Sequence, residues 1–139
     1  MIFLDFETRS VADLPAVGIS RYIEDPTTDV ILMSYAIDDA APATWFLGDP
    51  FPEDLLAALQ RGDSVVAHNA NFERRIWEGV CVPRYHWPVV NPGQWVCSAA
   101  IAAAFGLPRS LADAGETVGL AIKKDREGAR LMKKLCRPR

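Results

Sequence analysis

The chain has 139 residues, is 50% hydrophobic and carries a formal net charge of −3. This length and apolar content predict one domain, residues 1–139, with one core. No run of 18 apolar residues is present, which argues against a membrane span, and an acidic residue at position 5 argues against a signal peptide. The three cysteines form no C-x-x-C pair and only two histidines are present, so we expect reduced thiols and no zinc site.

The first predicted element is a buried strand from Ile2 to Glu7, whose acidic residues occupy alternate positions. Side chains alternate along a strand, so Asp5 and Glu7 share one face. Ligands of open α/β sheets bind at the carboxyl ends of strands, and two carboxylates that repel each other there predict a bound divalent cation. The alternative is a strand end that simply meets solvent.

Two further β-like runs, Val30–Ile37 and Ala43–Leu47, follow along the chain. With no helix predicted between the first three runs, the pattern indicates an antiparallel meander. Leucines on one side of Pro52–Gln60 then predict a helix that has proline near its start.

A short strand, Ser64–Ala67, leads into a helix with apolar residues at every fourth position. Either Asn69 or Asn71 is suited to cap this helix. Glu73 then lies in or near its first turn, beside the mouth of the preceding strand. The ordinary interpretation is an acidic residue that favours the helix dipole and an asparagine that only caps.

The last third of the sequence is predicted to be helical. The alanine-rich segment Cys97–Phe105 stops at a Gly-Leu-Pro sequence, a second helix capped by Ser110 runs to about Val118, and Lys123–Leu135 forms a charged final helix. Residues 1–120 have a charge balance of −9 and residues 121–139 a balance of +6. A basic end on an acidic body suits a phosphate backbone, although a solvated helix face explains it equally well.

Taken in order, Asp5-x-Glu7 and Asn69-x-x-Phe72-Glu73 resemble the first two motifs of the DEDD family of 3′–5′ exonucleases. The sequence is closer still to the proofreading domain of bacteriophage-type family A DNA polymerases, and the resemblance runs nearly end to end. The other segments that carry it are Asp5-Phe6-Glu7-Thr8-Arg9-Ser10, Tyr22-x-x-Asp25-Pro26, Ala67-His68-Asn69-Ala70-x-Phe72-Glu73, Trp95-x-Cys97, Gly106-Leu107-Pro108-x-Ser110-Leu111 and Lys124-Asp125-x-Glu127-Gly128.

The resemblance implies an α/β, ribonuclease H-like fold, in which a mixed sheet has three antiparallel strands followed by alternating helices and strands. It also implies hydrolysis of DNA from the 3′ end with two Mg²⁺ or Mn²⁺ ions. Asp5, Glu7 and Glu73 would be the catalytic metal ligands, and hard cations prefer such oxygen donors. Thr8, Asn69 and Phe72 would contact the terminal nucleotide. His68 is expected to be a hydrogen-bonded junction residue.

The sequence departs from the family in two ways. Members usually have Asp where this chain has Glu73, and they need a fourth carboxylate, in a Y-x-x-x-D or H-x-x-x-x-D motif, that is absent after residue 73. The string Tyr35-Ala36-Ile37-Asp38-Asp39 matches Y-x-x-x-D only by coincidence. It lies before Glu73, in a part of the sequence where the family has no catalytic residue. We therefore expect an incomplete exonuclease-like domain that lacks the C-terminal part of the fold.

Three interpretations remain open at this point. The chain is the proofreading portion of a phage-type polymerase, a free-standing nuclease whose fourth ligand is Asp113, Glu116 or Asp125, or a non-catalytic module that binds nucleic acid or a protein. The expected partners are a single-stranded DNA 3′ end and a polymerase domain in the same or a split polypeptide, with no membrane. The expected location is the cytoplasm of a bacterial host cell, with a phage-encoded gene as one source.

Overall fold

The computed structural model of the protein describes residues 1–121 and 125–136. A mixed sheet of five strands, in the order β3-β2-β1-β4-β5, forms its centre. Strand β2 is antiparallel to both β1 and β3, whereas β4 is parallel to both β1 and β5. The strands are β1 (Ile2–Arg9), β2 (Asp29–Ile37), β3 (Ala43–Phe46), β4 (Val65–Ala67) and β5 (Trp95–Cys97).

The helices largely follow the predicted pattern. Pro52 immediately precedes the helix Glu53–Gln60. The Ser110 side chain caps the helix Leu111–Thr117 by accepting a hydrogen bond from one of its backbone N–H groups. A π-helical turn, Trp77–Cys81, continues the helix that carries Glu73. The helices are α1 (Leu14–Glu24), α2 (Glu53–Gln60), α3 (Ala70–Ile76), α4 (Val82–Tyr85), α5 (Ser98–Ala104), α6 (Leu111–Thr117) and α7 (Arg126–Leu135). The predicted start of the last helix, residues 123–124, lies outside the described residues.

The prediction of three directly successive antiparallel strands is wrong in one respect. Strands β1, β2 and β3 do pair antiparallel, but α1 lies between β1 and β2 in the chain. The sequence pattern does not predict this helix, because its periodicity is broken at Gly18, which has a positive φ of 73° and interrupts the helical backbone. Glycine adopts that conformation at little cost, so the segment turns there without ending the helical region.

One side of the sheet, the core face, is covered by helices. Alternate residues of β1 point into it, and the π-helical turn contributes Trp77, which is fully buried. The ring of Trp77 lies 4.8 Å from that of Trp87, and Trp87 lies 4.9 Å from Trp45, both edge to face. Such pairs add to the free energy gained by burying aromatic surface, so this cluster anchors the sheet to α3.

The other side, the open face, is only partly covered within the described residues. In β1 it carries Phe3, Asp5 and Glu7, of which Asp5 is exposed and Phe3 is 44% exposed. A cavity of about 390 Å³ lies on this face and is bounded by residues of β1, β2, β4, α5 and α6. Alternation along β1 therefore places both acidic residues on the side of the sheet that has the thinner cover.

The register of β1 and β2 slips by one residue beside the acidic pair. Glu7 pairs with Leu32 but Thr8 pairs with Val30, so Ile31 is an extra residue in β2. The carbonyl of Ile31 accepts a hydrogen bond of 3.2 Å from the backbone of residue 47, just after β3. A β-bulge of this kind bends and twists the strand pair, and it changes the direction of the side chains next to it.

Within residues 1–121 and 125–136, none of the helices has the length and apolar character needed to cross a lipid bilayer.

Candidate functional site

The two acidic residues of β1 lie next to different neighbours. The charge of Asp5 acts on Glu73 of α3, whereas the charge of Glu7 contributes, after burial, to the raised pKa of the Cys136 thiol. The carbonyl of Cys136, at the end of α7, accepts a 2.9 Å hydrogen bond from the backbone N–H of Ser10. The end of the final helix therefore lies beside the carboxyl end of β1.

Glu73 is the one buried acidic residue among the described residues. It is 96% buried, being only 4% exposed, and its Oε2 atom has no hydrogen-bond partner in the described part of the chain. The pKa of Glu73 is raised to about 8, mainly by burial. A hydrogen bond from its own backbone N–H lowers the pKa, and the charge of Asp5 raises it further. A carboxylate in this environment lacks a compensating positive charge, and a bound cation would supply one.

The structure thus brings the predicted carboxylates together in part. Asp5 and Glu7 share the open face of β1, and Asp5 lies close enough to Glu73 to affect its pKa. Across residues 1–121 and 125–136, however, no three His, Cys, Asp or Glu side chains are arranged so that they could hold a metal ion.

The three residues expected to contact a nucleotide differ in exposure. Thr8 is 7% exposed and its hydroxyl lies 2.9 Å from the hydroxyl of Tyr22, so it is engaged within the fold. Asn69 is exposed and occupies the N-cap position of α3 in the left-handed conformation, which asparagine tolerates better than most residues. Phe72 is half-buried, with its ring 6.4 Å from that of Tyr22.

His68 is a junction residue, as predicted. Its Nδ1 lies 3.0 Å from the Ser98 hydroxyl and its Nε2 lies 2.6 Å from the Arg109 carbonyl. These bonds connect the end of β4 to α5 and to the loop before α6. Both ring nitrogens are therefore used in holding the rim of the open-face cavity.

Cys97 lies where β5 ends and α5 begins, close to the start of α3. Burial raises the pKa of its thiol, but four backbone N–H groups lower it by more. Two donors belong to the first residues of α5 and two to the start of α3. The donors are the N–H groups of Ala100, Ala70, Asn69 and Ala99.

Of the three carboxylates considered as a fourth ligand, one caps a helix and two are exposed. The Asp125 side chain caps α7 through a 2.9 Å bond from the backbone N–H of Glu127. Asp113 and Glu116 are both exposed on α6. Asp38, from the coincidental Y-x-x-x-D string, lies 2.6 Å from the N-terminal ammonium group.

A buried hydroxyl network beside Glu7 was not foreseen from the sequence. Tyr22, Ser10 and Thr28 are each at least 95% buried. The Thr28 hydroxyl donates to the Tyr22 carbonyl at 2.5 Å, and its oxygen lies 2.7 Å from Ser10 Oγ. The signal that could have revealed it is the concentration of Thr and Ser at the end of β1 and at the start of β2. These residues link β1, α1 and β2 at one point.

Comparison with known proteins relates the chain to part of a phage DNA polymerase. No family model matches it. It is 33% identical over 141 residues to a DNA polymerase of Bacillus phage SP02, an alignment that includes 97% of this chain and 21% of that polymerase. The chain thus spans about a fifth of the length of the curated relative that it matches. It is a polymerase-related α/β domain.

Proposed function

We propose that this chain is a 3′–5′ exonuclease domain of the DEDD type, which removes nucleotides from DNA 3′ ends in association with a phage-type polymerase. The observation that carries the proposal is Glu73: a buried carboxylate with one oxygen unpartnered in the described residues, next to Asp5. A buried charge without a partner is costly, so a position of this kind is a candidate functional site. The similarity to a phage DNA polymerase supports the proposed association with a polymerase.

The sheet supports a ribonuclease H-like fold for this domain. Its order, with β1 central, β2 and β3 antiparallel on one side and β4 and β5 parallel on the other, is compatible with that fold. Ligands of such sheets bind near the carboxyl ends of the strands. Glu7 lies close to that end of β1.

The donor atoms suit Mg²⁺ or Mn²⁺. Asp5, Glu7 and Glu73 offer only carboxylate oxygens, which hard cations prefer, and Glu73 has an unpartnered oxygen within the described structure. When bound, two such ions supply the charge that activates a water molecule and stabilises the leaving 3′ oxygen. Asp5, Glu7 and Glu73 would hold the ions once their side chains converge, since no three such side chains are arranged for a metal in the described residues as they stand. Glu7 is half-buried and Glu73 is buried, which limits the access of bulk water to both.

Residues around the carboxylates position the DNA end. The exposed Asn69 amide is available to bond the terminal nucleotide, and Phe72 presents a half-buried ring against which a base can stack. The Thr8 hydroxyl is bonded to Tyr22, so Thr8 helps to position the DNA end by shaping the end of β1. The partner is a single-stranded DNA 3′ end, delivered by a polymerase domain of the same or a split polypeptide.

The test is the thermal response to cations. We expect Mn²⁺ and Mg²⁺ to raise the melting temperature, because binding to the folded state stabilises it by linkage. Asp5→Ala should abolish the increment, whereas Asp49→Ala, which removes an acidic residue of the turn after β3, should preserve it. An equal response in the Asp5→Ala variant would refute the assignment.

Activity separates the proposed nuclease from its alternatives. With three of the four family carboxylates, this chain alone is expected to digest single-stranded DNA slowly or undetectably, because catalytic groups that act as a unit contribute non-additively. Robust metal-dependent digestion that is lost in Glu7→Gln would instead favour a free-standing nuclease with an unconventional fourth ligand.

A second candidate is a non-catalytic module that binds nucleic acid or a protein. The observation in its favour is that the described residues contain no set of three side chains arranged for a metal. The open face also exposes large apolar side chains, Phe3 and Phe46 among them. Binding of single-stranded DNA that is unaffected by Mn²⁺ and by Asp5→Ala would select this candidate.

A further inference from the structure

A backbone irregularity lies beside Glu7. The register of β1 and β2 changes between Glu7 and Thr8, where Ile31 is the extra residue. A bulge leaves part of the ladder unpaired, so other contacts must hold the strand in one arrangement.

Tyr22 of α1 is the residue that contacts Thr8. The two hydroxyl groups are 2.9 Å apart, and both residues are more than 90% buried. A hydrogen bond shielded from water fixes its partners more firmly than an exposed one, because a buried hydroxyl left unpaired is costly. The Tyr22 hydroxyl therefore restrains β1 at the residue that follows Glu7.

The ring of Tyr22 also contacts the helix that carries the third carboxylate. Its centre lies 6.4 Å from that of Phe72, the residue immediately before Glu73. Tyr22 thus contacts the neighbour of Glu7 through its hydroxyl and the neighbour of Glu73 through its ring. It connects the two elements whose carboxylates must act together.

We propose that Tyr22 is a positioning residue, which holds Glu7 and Glu73 in a fixed relation through Thr8 and Phe72. This inference rests on the proposed function, since it assigns Tyr22 a role at the same carboxylate site. It adds a residue of α1 that touches neither substrate nor metal. Groups that bond a metal ligand directly change cation affinity by roughly 10–100-fold when removed, and a residue that acts through Thr8 and Phe72 should have a smaller effect.

Removing the hydroxyl is expected to leave the fold intact. The end of β1 is held independently by the bond from Ser10 N–H to the Cys136 carbonyl and by the 2.7 Å contact between the Ser10 and Thr28 hydroxyls. Tyr22→Phe keeps the ring and its contact with Phe72. It removes only the bond to Thr8.

The experiment compares Tyr22→Phe and Thr8→Val, which break the same bond from its two sides, with Tyr35→Phe. Tyr35 is the matched control because it is 7% exposed and its hydroxyl donates a 2.9 Å bond to Asp54 on α2. Mn²⁺ affinity is measured by thermal shift over a range of cation concentrations. A crystal structure of Tyr22→Phe reports the position of Glu7 without any metal.

We expect Tyr22→Phe and Thr8→Val each to weaken Mn²⁺ binding by roughly three- to tenfold, below the effect of removing a direct partner of a ligand, and the double variant to be no weaker than either. The crystal structure should show Glu7 displaced, and Tyr35→Phe should bind Mn²⁺ as the unmodified chain does. Unchanged affinity with Glu7 in place, or an equal loss in Tyr35→Phe, would overturn the inference.

Failure of the proposed function gives a different result. If the unmodified chain and Asp5→Ala respond alike to Mn²⁺, the metal site is wrong. The position of Glu7 in the Tyr22→Phe crystal structure then decides the positioning role by itself: displacement supports it and an unmoved side chain overturns it.

Discussion

The two faces of the central sheet differ in what their side chains contact. On the core face, β1 contributes Leu4 and Phe6, each 5% exposed, to the hydrophobic core. On the open face, the same strand contributes Asp5, which is exposed, and Phe3, which is 44% exposed. One strand therefore provides packing through every second residue and ionisable groups through the residues between them.

This difference separates the source of stability from the candidate site. Burial of large aromatic side chains stabilises the folded state, because it removes apolar area from water and packs the side chains closely. Most of this buried area and close packing is on the core face. The carboxylates lie where burial is least complete or, for Glu73, where burial lacks a compensating partner among the described residues. Substitutions on the two faces should therefore have different effects.

The largest effect is expected on the core face. Trp77→Ala should lower the free energy of unfolding by about 3–5 kcal/mol, because it removes a fully buried indole whose N–H donates to the Pro88 carbonyl at 2.8 Å. Phe46→Ala, at a 55% exposed residue of the open face, should cost less than about 1 kcal/mol. Denaturant titrations measure both values.

If Trp77→Ala fails to fold, Trp77→Phe gives a smaller loss that can still be measured. Equal destabilisation by Phe46→Ala would show that the open face packs as tightly as the core face, and the comparison would fail.

An intermediate effect concerns pH. The pKa of Glu73 is raised to about 8 in the folded state from an ordinary value of 4.5, so the folded state binds the proton more tightly than the unfolded state. The associated stability is fully present below pH 4.5 and is lost as the pH rises through 8. The slope approaches about 1.4 kcal/mol per pH unit inside that window, a total of a few kcal/mol.

Glu73→Gln isolates this contribution, since glutamine keeps the shape without the ionisation. Free energies of unfolding at pH 5 and pH 8, without divalent cations, should differ more in the unmodified chain than in the variant. Identical pH dependence would mean that Glu73 is solvated, and the assignment of a buried acidic group would be wrong.

The smallest effect concerns the basic helix that ends beside Glu7. Exposed Arg130 and Lys134 on α7 suit a phosphate backbone. Replacing both with Gln should reduce the salt dependence of single-stranded DNA binding by roughly 0.7 logarithmic units per residue. Arg61→Gln, at the end of α2 and far along β1 from Glu7, is the control. Altered self-association with unchanged DNA affinity would identify α7 as a protein contact instead.

Much of this fold could be predicted because its signals are local. Alternation placed Asp5 and Glu7 on one face, and a Gly-Leu-Pro stop ended α5 one residue from its predicted end. Helix α1 was missed because Gly18 interrupts its period. Strand β5 has three residues, too few for a pattern, and its last residue, Cys97, was assigned to the following helix.

The site was less predictable, because its key properties arise from contacts between distant segments. The identity of Glu73 was apparent from the sequence, but its buried, unpartnered oxygen depends on how α3 packs. The bulge at Ile31 and its support by Tyr22 connect residues that no short motif contains. The sequence marks Tyr22 only as part of a segment that carries the family resemblance, since a tyrosine alone carries no sign of its partners.

The environment of Cys97 turns that thiol into a chemical reporter on the helix that carries Glu73. Lowered pKa makes a thiol more reactive at neutral pH, so alkylation should proceed faster at Cys97 than at Cys81 or Cys136, whose pKa values are raised by burial. Two of its four N–H donors belong to Asn69 and Ala70, at the start of α3. Any displacement of α3 away from β5 withdraws those donors and slows the reaction, so an alkylation rate reads out the placement of the helix in solution.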